Sequence, residues 1–271
     1  MTETAAGNGA LPPVTDRATW QAQLDDLLVR EKAHTRMGDA LAAERRRLPM
    51  VEVDPTTPLI GAAGRVPLID VFEGRSQLIA YFQMWHTGQP AAQQCEGCTF
   101  STAHITELSY LHSRDVSYAT FCEGPYEESA RYHDFMGWTV PWYSVPEESI
   151  DRLTADRGFG ILVSYLRRDD RVYETYWTTG RGNEIMAPSW ALLDRTVYGR
   201  QEFWEESPEG WPQHWDTRGG QMRQDGRPTA QWSQIRAGHD DDLGTAPNGT
   251  AATSTAALSG HEGEHPRHTH H

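Results

Sequence analysis

Apolar residues recur along this chain at two periods, and the changes of period mark its elements. Between Asp16 and about Arg47, Trp20, Leu24, Leu27 and Leu28 return at helical spacing with charges between them, and Asp16 stands where an N-cap would. Gly38 is expected to break this stretch into two helices. LPMVEV (48–53) reads as a short strand with DPTTP as its turn, and LIDVF as a short apolar piece closed by the turn EGRS. QLIAYFQMW (77–85) is nearly continuous in apolar and aromatic residues, the pattern of a buried central strand. After the loop HTGQPAAQQ, Phe100, Ile105, Leu108 and Leu111 keep helical spacing to about Ser113, and VSYATFC (116–122) is a second apolar strand. Pro125 then opens a helix with Glu127 and Glu128 in its first turn, and Gly137 stops it. TVPWYSV is extended, GILVSYL and RVYETYW joined by RRDD form a hairpin, and SWALLDRTVYGR (189–200) is the last helix.

The order strand, helix, strand, helix, hairpin, helix predicts an α/β fold. Its central mixed sheet holds a parallel pair with a right-handed crossover and is flanked by helices. The expected organisation is a disordered leader (1–15), a helical extension (16–47), one folded domain (48–218) and a disordered His-rich tail (219–271). That tail ends in HEGEHPRHTHH, whose five histidines can chelate divalent metals; a solvated tail is the plainer reading. No internal repeat is visible.

Charge narrows the partners. With 24 Lys and Arg against 38 Asp and Glu, the net charge of −14 disfavours nucleic acid and anionic membrane surfaces, both of which need clustered cations. No apolar run reaches the roughly 18–20 residues of a bilayer span, and the N-terminus lacks a basic region followed by an apolar one, so a cytoplasmic location is expected.

Only three cysteines occur, Cys95, Cys98 and Cys122, too few for a disulfide-stapled scaffold. Cys95 and Cys98 are spaced C-x-x-C, after the first core strand and at the start of the first core helix, where thioredoxin-like folds carry theirs. There a helix N-terminus stabilises a thiolate, so Cys95 is the candidate nucleophile and Cys98 the resolving thiol. Glu96 works against the thiolate, which predicts a Cys95 less acidic than in a strong oxidant and a dithiol that leans towards reductant. The substrate of such a pair is a small thiol, a peroxide, another small molecule or a protein disulfide, with no cofactor. The alternative is copper: two thiolates suit Cu(I), and His86, at the end of the strand that feeds the cysteine loop, is the candidate third ligand. His133, on the following helix, is a weaker one. Zinc would need two more ligands, and no second C-x-x-C exists to supply them.

His86 is also a candidate proton shuttle. Trp85 borders the cysteine loop, and Trp138, Trp142 and Tyr143, with Pro141, are candidate walls of a substrate pocket, although aromatics at a strand start are more often core. His104 and His112 read as surface or hydrogen-bonded residues, Thr99 and Ser101 as helix-turn residues, and Cys122 as core. No glycine-rich phosphate loop, G-x-S-x-G or H-E-x-x-H is present, so nucleotide-dependent and hydrolytic chemistry lack support.

MWHTGQPAAQQCEGCTF, ELSYLHSRDVSYATFCEGPYEES and YHDFMGWTVPWYS together resemble the thioredoxin-like domain-of-unknown-function family 899, from about Leu28 to Gln201. The resemblance implies a thioredoxin-like fold and a cysteine pair rather than a particular reaction.

Overall fold

The computed structural model describes residues 11–215 and 222–240. Helix α1 (Arg17–Arg45) opens on Asp16, whose carboxylate accepts the backbone N–H groups of Ala18 and Thr19. It runs unbroken through Gly38 and buries no residue. The expected break is absent because a helical glycine costs only about 1 kcal/mol relative to alanine. Strand β1 (Val51–Val53) leads to a hairpin, β2 (Pro58–Gly61) and β3 (Gly64–Pro67). The hydrophobic pattern does not mark this hairpin, because half of its strand residues are proline or glycine. LIDVF forms a 3-10 turn (Leu68–Phe72) that buries Leu68, Val71 and Phe72.

The centre follows the expected order: β4 (Gln77–Gln83), α2 (Glu96–Ala103), α3 (Ser109–His112), β5 (Val116–Cys122) and α4 (Tyr126–Met136), which ends on Gly137 at φ 64°. After β6 (Trp142–Ser144) comes α5 (Glu147–Thr154), an amphipathic helix that sequence reasoning missed. The hairpin β7 (Ile161–Arg168) and β8 (Arg171–Thr179) turns at Asp169, φ 57°. A 3-10 segment (Gly180–Met186) and α6 (Pro188–Leu193) follow. A small hairpin, β9 (Arg223–Gln224) with β10 (Arg227–Pro228), and α7 (Gln231–Arg236) complete the described chain.

Eight strands form one sheet in the order β1-β8-β7-β4-β5-β6-β2-β3. The pairs β4–β5 and β5–β6 are parallel, and all the others are antiparallel. Alternation along β4 divides the core. Leu78, Ala80 and Phe82 join Ala119, Phe121 and Val163 on one face, while Tyr81 joins Tyr118 and Cys122 on the face covered by Cys98, Tyr132 and Phe135. Cys122 is thus a core residue, and burial pushes its thiol up to about 12.

Three expectations need correction. The cysteine helix does not reach Ser113. The His104 ring nitrogen Nδ1 donates to the Phe100 carbonyl at 2.7 Å, the His104 backbone N–H turns to Ser101 at 3.3 Å, and the helix tightens and ends. The last helix stops at Leu193 rather than Arg200, because Asp194 instead turns its carboxylate to the Arg200 guanidinium at 2.7 Å. Residues 222–240, expected in a disordered tail, are folded against the cysteine loop and helix, so the folded domain extends past 218. The histidines of HEGEHPRHTHH lie outside the described residues, as do residues 1–10 of the leader.

Past the end of β5 the Trp85 indole lies across the backbone of Gly124, where an added Cβ would stand 1.9 Å from the ring. Gly124→Ala is expected to cost about 1–3 kcal/mol of unfolding free energy. A denaturant midpoint equal to that of the parent would mean that Trp85 does not pack there.

Candidate active site

The buried strand β4 delivers the chain to a short loop, and polar side chains shape that loop from inside. Gln94, 1% exposed, accepts the His86 backbone N–H and donates to the His86 and Gln89 carbonyls, each at 3.0 Å. The loop hands over to α2 at Cys95, which is its N-cap. The Cys95 sulfur accepts the Cys98 backbone N–H at 3.4 Å, in place of the usual side-chain oxygen. Thr99 donates to the Cys95 carbonyl at 2.8 Å and meets the Tyr132 hydroxyl at 2.9 Å. Cys95 is half-buried, Cys98 is 1% exposed, and both are free thiols.

The two sulfurs are electrically unequal. The Cys98 S–H donates to the Cys95 sulfur, and this lowers the Cys95 pKa to about 7. Desolvation opposes the effect, the Cys98 and Gly97 N–H groups add to it, and the Glu96 charge subtracts from it. The same hydrogen bond, together with burial, holds Cys98 well above the usual thiol range, although the Tyr81 hydroxyl and the Met84 N–H offset part of this. Cys95 is therefore more acidic than Glu96 alone leads one to expect. Glu96 is not an unopposed charge, because the Arg223 guanidinium pairs with its carboxylate at 3.0 Å.

A cavity of about 730 Å³ opens along this turn of α2. Gly97 and Cys98 lie in its wall with Tyr81, Phe100, Trp190 and Trp204. Trp204 is held from both sides: Arg181 stacks on its ring at 4.2 Å, and its indole N–H donates to the buried Glu202 carboxylate.

The residues expected to form the site divide. Cys95 and Cys98 meet at the helix start. Trp85 is buried beside them, its ring 5.5 Å from Tyr132 and its indole N–H donating to Glu128 at 2.9 Å, so it frames the loop rather than lining the cavity. Trp138 and Trp142 stack on each other at 5.6 Å inside the core, and Tyr143 packs against Phe121 on the opposite face of the sheet. None of these three lines the cavity: the parallel pairing of β6 with β5 turns Trp142 and Tyr143 into the two cores, and Trp138 packs on Trp142. His86 is exposed, and its Nδ1 donates to the Gln93 carbonyl at 2.8 Å. His133 Nε2 donates to the Val140 carbonyl at 3.1 Å. Among the described residues no three His, Cys, Asp or Glu side chains come together as a metal site, so His86 does not join the two thiols.

Sequence reasoning missed Tyr81, Gln94, Tyr132, Arg223 and the cavity aromatics Trp190 and Trp204. Tyr81 alone carried a signal, since it lies on the strand that feeds the cysteines. Arg223 stands 127 residues from Glu96, in a segment of low apolar content.

A parallel strand–helix–strand unit extended by an antiparallel hairpin is a thioredoxin-like fold, and here it carries a cysteine pair at the first turn of its helix. The chain belongs to the family described as "Bacterial protein of unknown function (DUF899)", whose model matches residues 9–218. Among curated proteins none matches it. Three solved structures are similar in part. A thioredoxin from Wuchereria bancrofti is 20% identical, with a TM-score of 0.34 over 52% of this chain and 95% of its own. A putative electron transfer protein from Aquifex aeolicus is 13% identical, with a TM-score of 0.32 over 50% and 96%. A peroxiredoxin 6 mutant from Arenicola marina is 10% identical, with a TM-score of 0.34 over 61% and 80%. Among the described residues no helix is long and apolar enough to cross a membrane.

The inequality of the two thiols has a direct readout. Alkylation of Cys95 by iodoacetamide is expected to rise with pH through a midpoint near 7, as its thiolate forms, while Cys98 and Cys122 stay protonated. A midpoint near 9, measured by mass spectrometry of the labelled peptide, would show that the hydrogen bond from Cys98 does not act.

Proposed function

We propose that the protein is a thiol–disulfide oxidoreductase acting through Cys95 and Cys98. The observation that carries this reading is the Cys95 sulfur at the N-cap of α2, accepting the N–H and the S–H of Cys98, with a pKa lowered to about 7. The Cys95 thiolate attacks one sulfur of a substrate disulfide. The substrate S–S bond breaks, its second sulfur leaves as a thiolate, and a mixed disulfide forms. Cys98 then loses its proton to the departing thiolate or to water and attacks the Cys95 sulfur. The substrate sulfur held in the mixed disulfide departs as a thiolate, so the substrate gains two electrons and the pair is oxidised to a disulfide. Two equivalents of a small thiol reductant, themselves oxidised to a disulfide, return the pair to the dithiol.

The cavity favours a small molecule over an extended peptide. It runs along the turn of α2 that carries Cys98, Gly97 leaves that wall without a side chain, and Phe100, Trp190 and Trp204 offer ring faces.

Cys95→Ser is expected to abolish turnover, and Cys98→Ser to accumulate a mixed disulfide visible by mass spectrometry. Equal turnover in the parent and both variants would remove the proposal, and copper retained at one equivalent through Cys95 would move the site to metal chemistry. Trp204→Ala is expected to lower kcat/KM about tenfold for dithiodipyridine, a flat aromatic disulfide, and by less than twofold for hydroxyethyl disulfide. An equal loss on both substrates would place recognition outside the cavity.

A further inference from the structure

The described segment 222–240 lies beyond the residues that the family model matches, yet it reaches into the cysteine loop. Arg223, at the start of β9, makes four contacts there and one within its own hairpin. Its Nε and Nη2 meet the Glu96 carboxylate at 3.2 and 3.0 Å. Its Nη1 donates to the Ala92 carbonyl at 2.9 Å and to the Gly226 carbonyl of its own hairpin at 2.9 Å. Its Nη2 also donates to the Gln94 carbonyl at 3.0 Å. Gln231, fully buried on α7, ties down the same loop by donating to the Ala91 carbonyl at 2.7 Å and to the Tyr132 hydroxyl at 2.8 Å.

We infer that Arg223 is a positioning residue for Cys95: it neutralises the carboxylate of the adjacent Glu96 and clamps the carbonyls of Ala92 and Gln94, which fixes the N-cap sulfur at the start of α2. Two effects are separable. The charge effect acts through Glu96, whose carboxylate disfavours a thiolate one residue away. The clamp acts through geometry, because a planar guanidinium with five donors holds a carboxylate and two carbonyls at once, which an ammonium does not. The pair is about a quarter exposed on each side, so solvent screens it and the charge effect is modest.

The inference rests on the thiol-redox reading, and the test separates the two through two readouts on the full chain. The first is the rate of Cys95 alkylation by iodoacetamide at pH 7, which needs no disulfide. The second is the equilibrium of the pair with reduced and oxidised glutathione. Arg223→Gln is expected to slow alkylation about threefold and to shift the glutathione equilibrium about threefold towards the protein disulfide, because an uncompensated Glu96 destabilises the thiolate of the reduced form. Arg223→Lys, which keeps the charge, is expected to fall between parent and Arg223→Gln. Adding Glu96→Gln to Arg223→Gln is expected to restore most of the rate, which a merely structural role would not do. Glu96→Gln alone is expected to speed alkylation, and it keeps the test decisive if Arg223→Gln does not fold. Parent-like alkylation in Arg223→Gln, no rescue in the double variant, or no acceleration in Glu96→Gln would each overturn the inference. Failure of the pair to form a disulfide at any glutathione ratio would instead overturn the redox reading and leave the alkylation arm standing.

Discussion

The N–H groups at the start of a helix have no carbonyl to bond, and in α2 the acceptor that meets them is a cysteine sulfur. A hydroxyl or carboxylate normally fills that place, because oxygen is the better acceptor. Sulfur is a weak one until it is charged, so the unmet N–H groups of the helix and the thiolate stabilise each other. Everything near the site can be understood as holding this one atom where the N–H groups point. Gln94 fixes the loop from below, Thr99 holds the Cys95 carbonyl, and the Tyr132 hydroxyl donates to Thr99 while accepting from Gln231. A buried polar group is costly without partners, and Gln94, Thr99 and Gln231 each find them around the cysteine loop.

The two faces of the sheet carry different duties as a result. One face is close to purely aliphatic and aromatic, with Leu78, Phe82, Phe121 and Val163 in contact, and it supplies bulk stability. The other is threaded with hydrogen bonds. Thr102 donates to Gln83 at 2.8 Å, and the Trp142 indole donates to Ser129 at 3.1 Å, so α2 and α4 are pinned at specific heights above β4 and β6. Directional bonds fix register where greasy contact alone would let helices slide. Trp138 and Trp142 belong to this framing, which explains why aromatics so near the cysteines in sequence do not line the cavity.

Much of this was legible in the chain. The apolar runs 77–85 and 116–122, Asp16, Gly137 and the hairpin around Asp169 all announced themselves, because each rests on a local rule of burial, capping or turn geometry. The cysteine pair was legible for the same reason, since its chemistry depends on spacing and on what precedes it. The hairpin β2–β3 was hidden by its own prolines and glycines, which are tolerated at a sheet edge but erase the strand pattern. The cavity and the Arg223 clamp were hidden for a deeper reason. Trp204 and Arg223 come from segments with no strong periodicity, Trp190 from a helix whose pattern does not say what it faces, and only the tertiary arrangement brings them to α2. Low apolar content correctly marks a segment that cannot build a core alone, but it does not exclude one that docks onto a core through a guanidinium and a buried amide.

The opposite displacement of the two thiols follows from a single hydrogen bond. The proton that Cys98 donates to the Cys95 sulfur makes Cys95 easier to ionise, and the thiolate it meets makes Cys98 harder to ionise. Burial then fixes the direction: Cys98 is sealed against Tyr81 and cannot bear the charge, whereas Cys95 has the helix N–H groups and partial solvent access. The difference in acidity between the two sulfurs is thus set by depth along one helical turn. Glu96 cannot reverse it while Arg223 is in place, because its carboxylate is answered locally, over distances well inside the roughly 8 Å of physiological screening. The net charge of −14, spread over the whole chain, therefore says little about this sulfur.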